Sequence, residues 1–388
     1  MVVKNSFVWM VGGAQGSGVD SGANIFARAC CYAGLYVFGN REYHSNIKGL
    51  HSYFQVRVAE RPVYCHRSYV DLLATFDAET LVRHRSEVAN QGGMIYDPSY
   101  ESTRIQDIPT LEKEFVDESV EHLKEKGFAG SVRDVIEDAR KDGIRTYPVP
   151  YMSLVNEIAE RLGESKVSKV ARVINVLVLG ASFALLDADI ELLTRAVRSV
   201  FGAKPSIAAM NELAARVAYD YARKNLGTDF GVKLEKVDTK ESRIFLMGNQ
   251  AVALGKLAGG CRFQTYYPIT PAADESEYLE ANERLDLKAS ARLQTSEVGE
   301  APPTNGGGSI VVVQTEDEIA AVNMASGAVL TGTRASTSTS GPGFSLMVEG
   351  LGWAGMNEVP VVITYYQRGA PATGLPTRHG QDDLRFAI

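Results

Sequence analysis

Residues 265–271 read Thr-Tyr-Tyr-Pro-Ile-Thr-Pro, TYYPITP. They follow directly on CRFQTYY (261–267), which has the composition of a strand. A proline disfavours the helical conformation in the residue before it, so Pro268 and Pro271 push both Tyr267 and Thr270 toward extended geometry. The strand therefore passes through a rigid loop before ADESEYLEANERL (273–285) begins its helical turns, with Asp274 and Glu275 suited to the positive end of that helix. A loop leaving the carboxyl end of a strand lies where open α/β sheets bind ligands. A rigid one presents a phenol and a hydroxyl with little ordering entropy left to lose.

The same edge recurs downstream. SIVVVQ (309–314) reads as a strand, and EDEIAAVNMASGAVLTG (316–332) as a helix opening on three acids, Glu316, Asp317 and Glu318. These acids satisfy a helix dipole. The small residues Ala320, Ala321, Ala325, Ser326, Gly327 and Ala328 imply a closely packed helix, in which an acid sits partly dry and has a shifted pKa. ASTSTS (335–340) is a strand leading into Gly341-Pro342-Gly343, a tight turn whose backbone N–H groups can face an anion. VPVVITYY (359–366) is apolar enough for a central parallel strand and ends at Gln367-Arg368. Four strand ends thus deliver a Tyr/Thr loop, an acid, a Gly-Pro-Gly turn and an arginine to one edge, which outlines a site for an anionic small molecule.

Upstream, SFVWMVGGAQGSGVDSGANIFARACCYAG (6–34) reads strand, glycine loop, helix. LYVFGN, HSYFQVRVAE, DLLATFD and IRTYPVP read as strands; SVRDVIEDARKDG, MSLVNEIAERLG and IELLTRAVRSVFG read as helices. This alternation predicts a mostly parallel α/β sheet. The charged stretch 97–130 is expected to be a surface excursion, and 295–308 a long Pro/Gly-rich loop. The expected organisation is an α/β domain over 1–205, a helical connector over 206–243, and a second α/β domain over 244–388.

The 388 residues exceed one ordinary domain. A net charge of −7 without basic runs speaks against nucleic-acid binding. No apolar stretch is read as approaching the roughly 20 residues of a membrane helix, and the amino terminus reads as a buried strand, so a cytoplasmic protein is expected. None of the four cysteines, Cys30, Cys31, Cys65 and Cys261, is spaced for an iron–sulfur cluster; all are expected to be structural thiols.

With YPITP, EDEIAA, STSGPGFSLM and TYYQRGAPATGLPTR in view, the chain resembles the α-type subunit of a 2-oxoacid:ferredoxin oxidoreductase with a γ-type domain fused ahead of it. GGAQGSGVDSG (12–22) and SNIKGLHSYFQVRV (45–58) resemble the γ-type domain more weakly. The resemblance implies a thiamine-diphosphate enzyme that decarboxylates a 2-oxoacid, passes the acyl unit to coenzyme A and sends electrons to ferredoxin. The second domain would then bind the cofactor's pyrimidine. Glu318, with Glu316 as fallback, matches the acid that hydrogen-bonds that ring, and Pro271 and Gly341 fall on the cofactor side. Arg368 matches the arginine for the substrate carboxylate, Thr270 the substrate-binding threonine, and Tyr267 lines the same pocket. Lys48 is a candidate for a further anion contact.

The chain departs from the family pattern in ending at LRFAI, before further α/β domains expected on another chain or missing, and in lacking the motif that holds Mg2+ and diphosphate. The resemblance implies that a β-type partner carries that motif and a [4Fe-4S] cluster, in an (αβ)2 hetero-oligomer active only as a whole. Two other readings stand beside it. Gly16, Gly18 and Gly22, with Glu42 about twenty residues on, imitate a dinucleotide fingerprint and suggest an NAD(P)-dependent dehydrogenase. A non-catalytic interaction subunit is the third. Pyruvate, 2-oxoglutarate and similar 2-oxoacids remain equivalent at this level.

Overall fold

A computed structural model describes residues 2–43, 50–227, 230–241, 243–285 and 308–367. The chain divides into two compact units, residues 1–245 and 246–388.

The first unit holds strands β1 (Val3–Lys4), β2 (Phe7–Ala14), β3 (Tyr36–Tyr43), β4 (His51–Ala59), β5 (Val70–Thr75), β6 (Val88–Tyr96), β7 (Arg145–Pro148) and β8 (Val232–Lys233). Its helices are α1 (Val19–Tyr32), α2 (Ala78–His84), α3 (Lys113–Glu125), α4 (Val132–Lys141), α5 (Tyr151–Leu162), α6 (Val167–Val170), α7 (Ile174–Leu185), α8 (Ile190–Phe201) and α9 (Pro205–Asn225). Six strands form one sheet in the order β3-β4-β2-β5-β6-β7. The run from β2 to β7 is parallel, and β4 lies antiparallel to both its neighbours. β1 pairs with β8 apart from this sheet.

Strand alternation explains the two cores. Phe7, Trp9 and Val11 of β2 join the cluster built by α1, α5, α7, α8 and α9, whereas Val8 and Met10 join the one built by α2, α3 and α4. Both faces are covered, so β2 is apolar along nearly its whole length. The Trp9 ring stacks on Phe26, with centroids 4.0 Å apart, and its Nε1 donates to Ser182 Oγ at 3.0 Å.

Several expectations change here. The charged stretch 97–130 contains α3, and its Ile105, Ile108, Leu111 and Leu123 are core residues. Residues 206–243 fall within the first unit: Ala214, Ala215, Val217 and Ala218 of α9 lie in the larger core. An apolar helical run does approach membrane length, Val167–Leu185 with 19 residues. Two thirds of it is buried inside the unit, and every residue of α7 from Asn175 to Leu185 is buried, as befits a helix apolar on all sides. The dinucleotide fingerprint meets a topological obstacle. Gly18, at φ 98°, does cap α1 after β2, but β4 intervenes between β2 and β3, which carries Glu42. Of the cysteines, Cys30 and Cys261 are buried, and burial pushes Cys30 well up and Cys31 to about 11; Cys65 is exposed, contrary to expectation.

The second unit holds α10 (Gly248–Ala258), β9 (Phe263–Tyr266), α11 (Ala273–Ala281), β10 (Arg284–Leu285), β11 (Gly308–Ser309), β12 (Val311–Gln314), α12 (Glu318–Leu330), β13 (Ala335–Ser340), α13 (Gly343–Met356) and β14 (Val362–Tyr366). β10 and β11 form a small antiparallel pair. The main sheet is parallel throughout, in the order β12-β9-β13-β14. The expected central strand, β14, is an edge strand among the described residues and only half-buried. The central place belongs to the hydroxyl-rich β13, buried along its full length. Its polarity is absorbed locally, since a buried hydroxyl must be hydrogen-bonded: Thr337 Oγ1 donates to the Thr265 carbonyl at 2.9 Å, and Ser340 Oγ to the Tyr366 carbonyl at 2.6 Å. The loop expected at 295–308 lies outside the described residues except for its last, Gly308.

Candidate active site

The carboxyl edge of the second sheet gathers most of the residues singled out above. After β9 the chain turns to α11 and on to β12 at one side; after β13 it turns to α13 and on to β14 at the other. Side-chain contacts put these helices on opposite faces. Ser276 of α11 meets Gln264 and Ser338 on one face, at 3.0 and 3.1 Å, while the α12 carbonyl of Ala321 accepts from Thr265 on the other, at 2.7 Å, and Val322 of α12 packs with Met347 of α13. The connections leaving the neighbouring strands β9 and β13 therefore diverge, the topology at whose strand ends open α/β sheets bind ligands. The loop Tyr267–Thr270 leaves β9 there, and Gly341 leaves β13. Tyr267 and Thr270 are exposed, Pro271 is partly buried, and the Thr270–Pro271 peptide is cis.

The three acids before β13 part company. Asp317 is the cap of α12, its carboxylate accepting from the Ala320 N–H at 2.7 Å. Glu316 is exposed. Glu318, the first residue of α12, is only 4% exposed. Burial pushes its carboxyl above the usual range; its own N–H pulls the other way, the Asp317 charge adds to the rise, and the neighbouring Thr339 hydroxyl eases it. Thr339 Oγ1 is itself buried and makes no hydrogen bond of standard geometry. Gly343 completes the arrangement. A Cβ built there would lie 2.1 Å from Thr339 Oγ1 and 2.3 Å from Glu318 Oε1. The carboxylate and the hydroxyl thus occupy the space that any side chain at 343 would claim.

A buried carboxyl of raised pKa beside a buried hydroxyl can exchange a proton with a polar ring placed against it. These residues also fit the cofactor that the sequence resemblance implies. A glycine-floored cradle, an orphaned buried hydroxyl and an acid able to carry a proton match a hydrogen-bonding aminopyrimidine.

From sequence, Gly343 is read only as part of the Gly341-Pro342-Gly343 turn and Thr339 only as part of the strand ASTSTS; neither is placed beside Glu318. A second omission is the buried pair Lys256–Glu275. Glu275 was read as a helix-end acid, yet it is fully buried in contact with the Lys256 ammonium and accepts from Tyr366 Oη at 2.7 Å. Arg368 and Lys48 lie outside the described residues.

Two family descriptions match. "Pyruvate ferredoxin/flavodoxin oxidoreductase" covers residues 8–221, and "Pyruvate flavodoxin/ferredoxin oxidoreductase, thiamine diP-bdg" covers residues 254–388. The α subunit of 2-oxoacid:ferredoxin oxidoreductase of Saccharolobus solfataricus is 44% identical over 384 residues, and that of Sulfurisphaera tokodaii enzyme 1 is 46% identical over 386. Each alignment takes in 98% of this chain but 57% of the relative, so the chain spans little more than half their length. A solved structure of 2-oxoglutarate:ferredoxin oxidoreductase from Magnetococcus marinus, with 2-oxoglutarate, coenzyme A and succinyl-CoA bound, aligns at a TM-score of 0.71 and 27% identity. It covers 99% of this chain and 56% of that one. With an α/β fold in each unit, a thiamine-diphosphate-binding domain in the second and a family match across more than half its length, the chain belongs to the pyruvate ferredoxin/flavodoxin oxidoreductase family.

Proposed function

We propose that this chain supplies the pyrimidine side of the thiamine-diphosphate site in a 2-oxoacid:ferredoxin oxidoreductase. The overall reaction converts a 2-oxoacid, coenzyme A and two oxidised ferredoxins to acyl-CoA, CO2, two reduced ferredoxins and a proton. The observation that carries the reading is the buried Glu318 carboxyl held beside Thr339 and Gly343 at the sheet's carboxyl edge.

Glu318 would hold the cofactor's pyrimidine and share a proton between its carboxyl oxygen and the ring nitrogen, for which its raised pKa equips it. Bound there, the cofactor supplies the carbon nucleophile and electron sink that decarboxylation requires. Pro271 and Gly341 would border it from the two strand ends. Thr270 would donate its hydroxyl to the 2-oxoacid, Tyr267 would line the same pocket, and Arg368 would pair with the carboxylate through its fork of donors. Lys48 is retained as a candidate anion contact. Mg2+, the diphosphate motif and a [4Fe-4S] cluster would reside on a β-type partner in an (αβ)2 assembly. Ferredoxin would be the electron acceptor, and the assembled enzyme would work in the cytoplasm.

The test compares Glu318→Gln with Glu316→Gln in the assembled enzyme, following 2-oxoacid-dependent reduction of a viologen dye and, separately, binding of thiamine diphosphate. The reading expects Glu318→Gln to abolish turnover and weaken binding, and Glu316→Gln to do neither. The contrast in burial between the two acids supports that order. An active Glu318→Gln enzyme overturns it.

A further inference from the structure

Helix α3 is packed more loosely than its pattern allows. Phe115, Glu118, Ser119, His122 and Leu123 recur at the spacing of one helical face, and all of them line one cavity. Leu123 is the only buried residue of α3. Where a further seam of side chains would lie against α2 and α4, this face borders a space of about 290 Å3, near the lower end of the volumes that hold small ligands. The floor is apolar: Val82 of α2, Leu123 of α3 and Val135 of α4 are all buried. The Phe115 ring stands at one side, its centroid 5.3 Å from the Arg83 guanidinium carbon.

The polar groups of the wall are unequally satisfied. Asp138 of α4 is buried with both oxygens engaged, Oδ1 by Lys126 Nζ at 2.7 Å and Oδ2 by Arg85 Nη2 at 2.8 Å. Arg85, just after α2, also meets Asp142 through Nη2. Its other donors are unspent. Nε is buried without a hydrogen-bond partner, and Nη1 donates to no acceptor among the described residues. A charged donor left unpaired in a partly dry place is costly. Ser86 and Ser119 add hydroxyls to the same wall. The Glu118 carboxylate, by contrast, sits on the exposed rim, where water solvates it. The capacity left over at this wall is therefore for an acceptor, and a carboxylate is the acceptor that a guanidinium binds most strongly.

We infer that this cavity is a binding site for a small organic carboxylate with an apolar body. The carboxylate pairs with Arg85 and the serine hydroxyls, and the apolar part covers Val82, Leu123 and Val135. All of these residues belong to the first unit, so the inference does not rest on the thiamine-diphosphate reading.

The probe is phenylacetate, titrated into the full chain and followed by ligand-observed NMR. A ligand of this size should bind with a Kd of about 1 mM. Phenylacetamide keeps the shape without the charge and should bind at least about tenfold more weakly, the loss of one charge-assisted hydrogen bond. Phenethylamine, of opposite charge, should bind no better than the amide. Ser119→Trp fills the cavity from a half-buried position and leaves the Arg85–Asp138 pair in place; it should weaken phenylacetate at least about tenfold with the melting temperature unchanged. In Arg85→Gln, phenylacetate and phenylacetamide should bind alike, because the group that tells them apart is gone. Should that variant fail to fold, the Ser119→Trp and phenylacetamide results decide alone. Absence of binding at about ten times the expected Kd overturns the inference. So does equal binding of acid and amide by the parent chain, and so does undiminished binding by Ser119→Trp, which would put the probe elsewhere in the chain.

Discussion

Replacing Gly343 by alanine adds a single methyl group at the most crowded point of the candidate site. That methyl would sit 2.1 Å from Thr339 Oγ1, 2.3 Å from Glu318 Oε1 and 2.8 Å from Glu318 Cδ. Non-bonded carbon atoms rest about 3.5–4.0 Å apart; even a closer carbon–oxygen contact requires the Glu318 carboxylate to withdraw by roughly 1 Å. A displacement of that size at a reacting group costs on the order of 100-fold in rate, so kcat of the assembled enzyme should fall about 100-fold. Overpacking should also cost about 1–3 kcal/mol of stability. The assay is viologen reduction, with the melting temperature of the chain recorded in parallel to separate misfolding from misplacement. Gly352→Ala, in the same helix α13, is the control: nothing lies within 4 Å of its added methyl. There alanine should stabilise the isolated chain by about 0.5–1 kcal/mol through its better helix propensity. A Gly343→Ala enzyme that turns over normally would refute the view that Glu318 works from where it is held.

Three further outcomes are expected. Arg368→Leu should lower kcat/KM by about two to four orders of magnitude, the equivalent of roughly 3–5 kcal/mol for an uncompensated carboxylate, while thiamine diphosphate binding is unchanged; otherwise Arg378 becomes the candidate. Because burial raises the pKa of Glu318, the native chain binds a proton that the unfolded chain has released; between the ordinary carboxylate range and the raised value, stability falls as pH rises. Glu318→Gln should therefore melt higher than the parent at pH 7.5, by a margin that shrinks on acidification, and an unchanged margin by thermal denaturation would contradict the burial argument. Finally, Cys65 alone among the four cysteines should react rapidly with a thiol reagent in the folded chain at pH 7.5, because Cys30 and Cys261 are buried and Cys31 is held near 11; a count from absorbance before and after denaturation decides it.

Residues whose chemistry conflicts with their surroundings are the ones the sequence concealed. YPITP announced its loop through two prolines, and the acids at 316–318 announced a helix start, because local backbone physics is written in adjacent residues. ASTSTS revealed a strand but not its central place: burial of hydroxyls depends on acceptors such as the Thr265 carbonyl, 72 residues away. VPVVITYY misled in the opposite sense, since apolar residues on an edge strand are indistinguishable by composition from those of a centre strand. Helix α7 was missed because a helix buried on every side has no polar face to set a period. Glu275 was legible only as a charge, since Lys256 and Tyr366 reach it from elements distant in sequence.

The polar interior of the second unit bears on how that unit responds to temperature. Among the described residues its buried apolar clusters are small, Ala253, Leu257, Cys261, Leu279 and Ile310 in one and Ala321, Val322 and Met347 in the other. Between them lie the buried Gln264, Thr265, Glu275, Ser276 and the hydroxyls of β13. Unfolding raises the heat capacity in proportion to the apolar area exposed and lowers it in proportion to the polar area. The buried polar groups of this unit therefore subtract from the heat-capacity increment that its apolar residues would give alone. A smaller increment flattens the curve of free energy against temperature, so each buried hydroxyl or amide in this interior works toward a stability that varies less with temperature than apolar residues in its place would give.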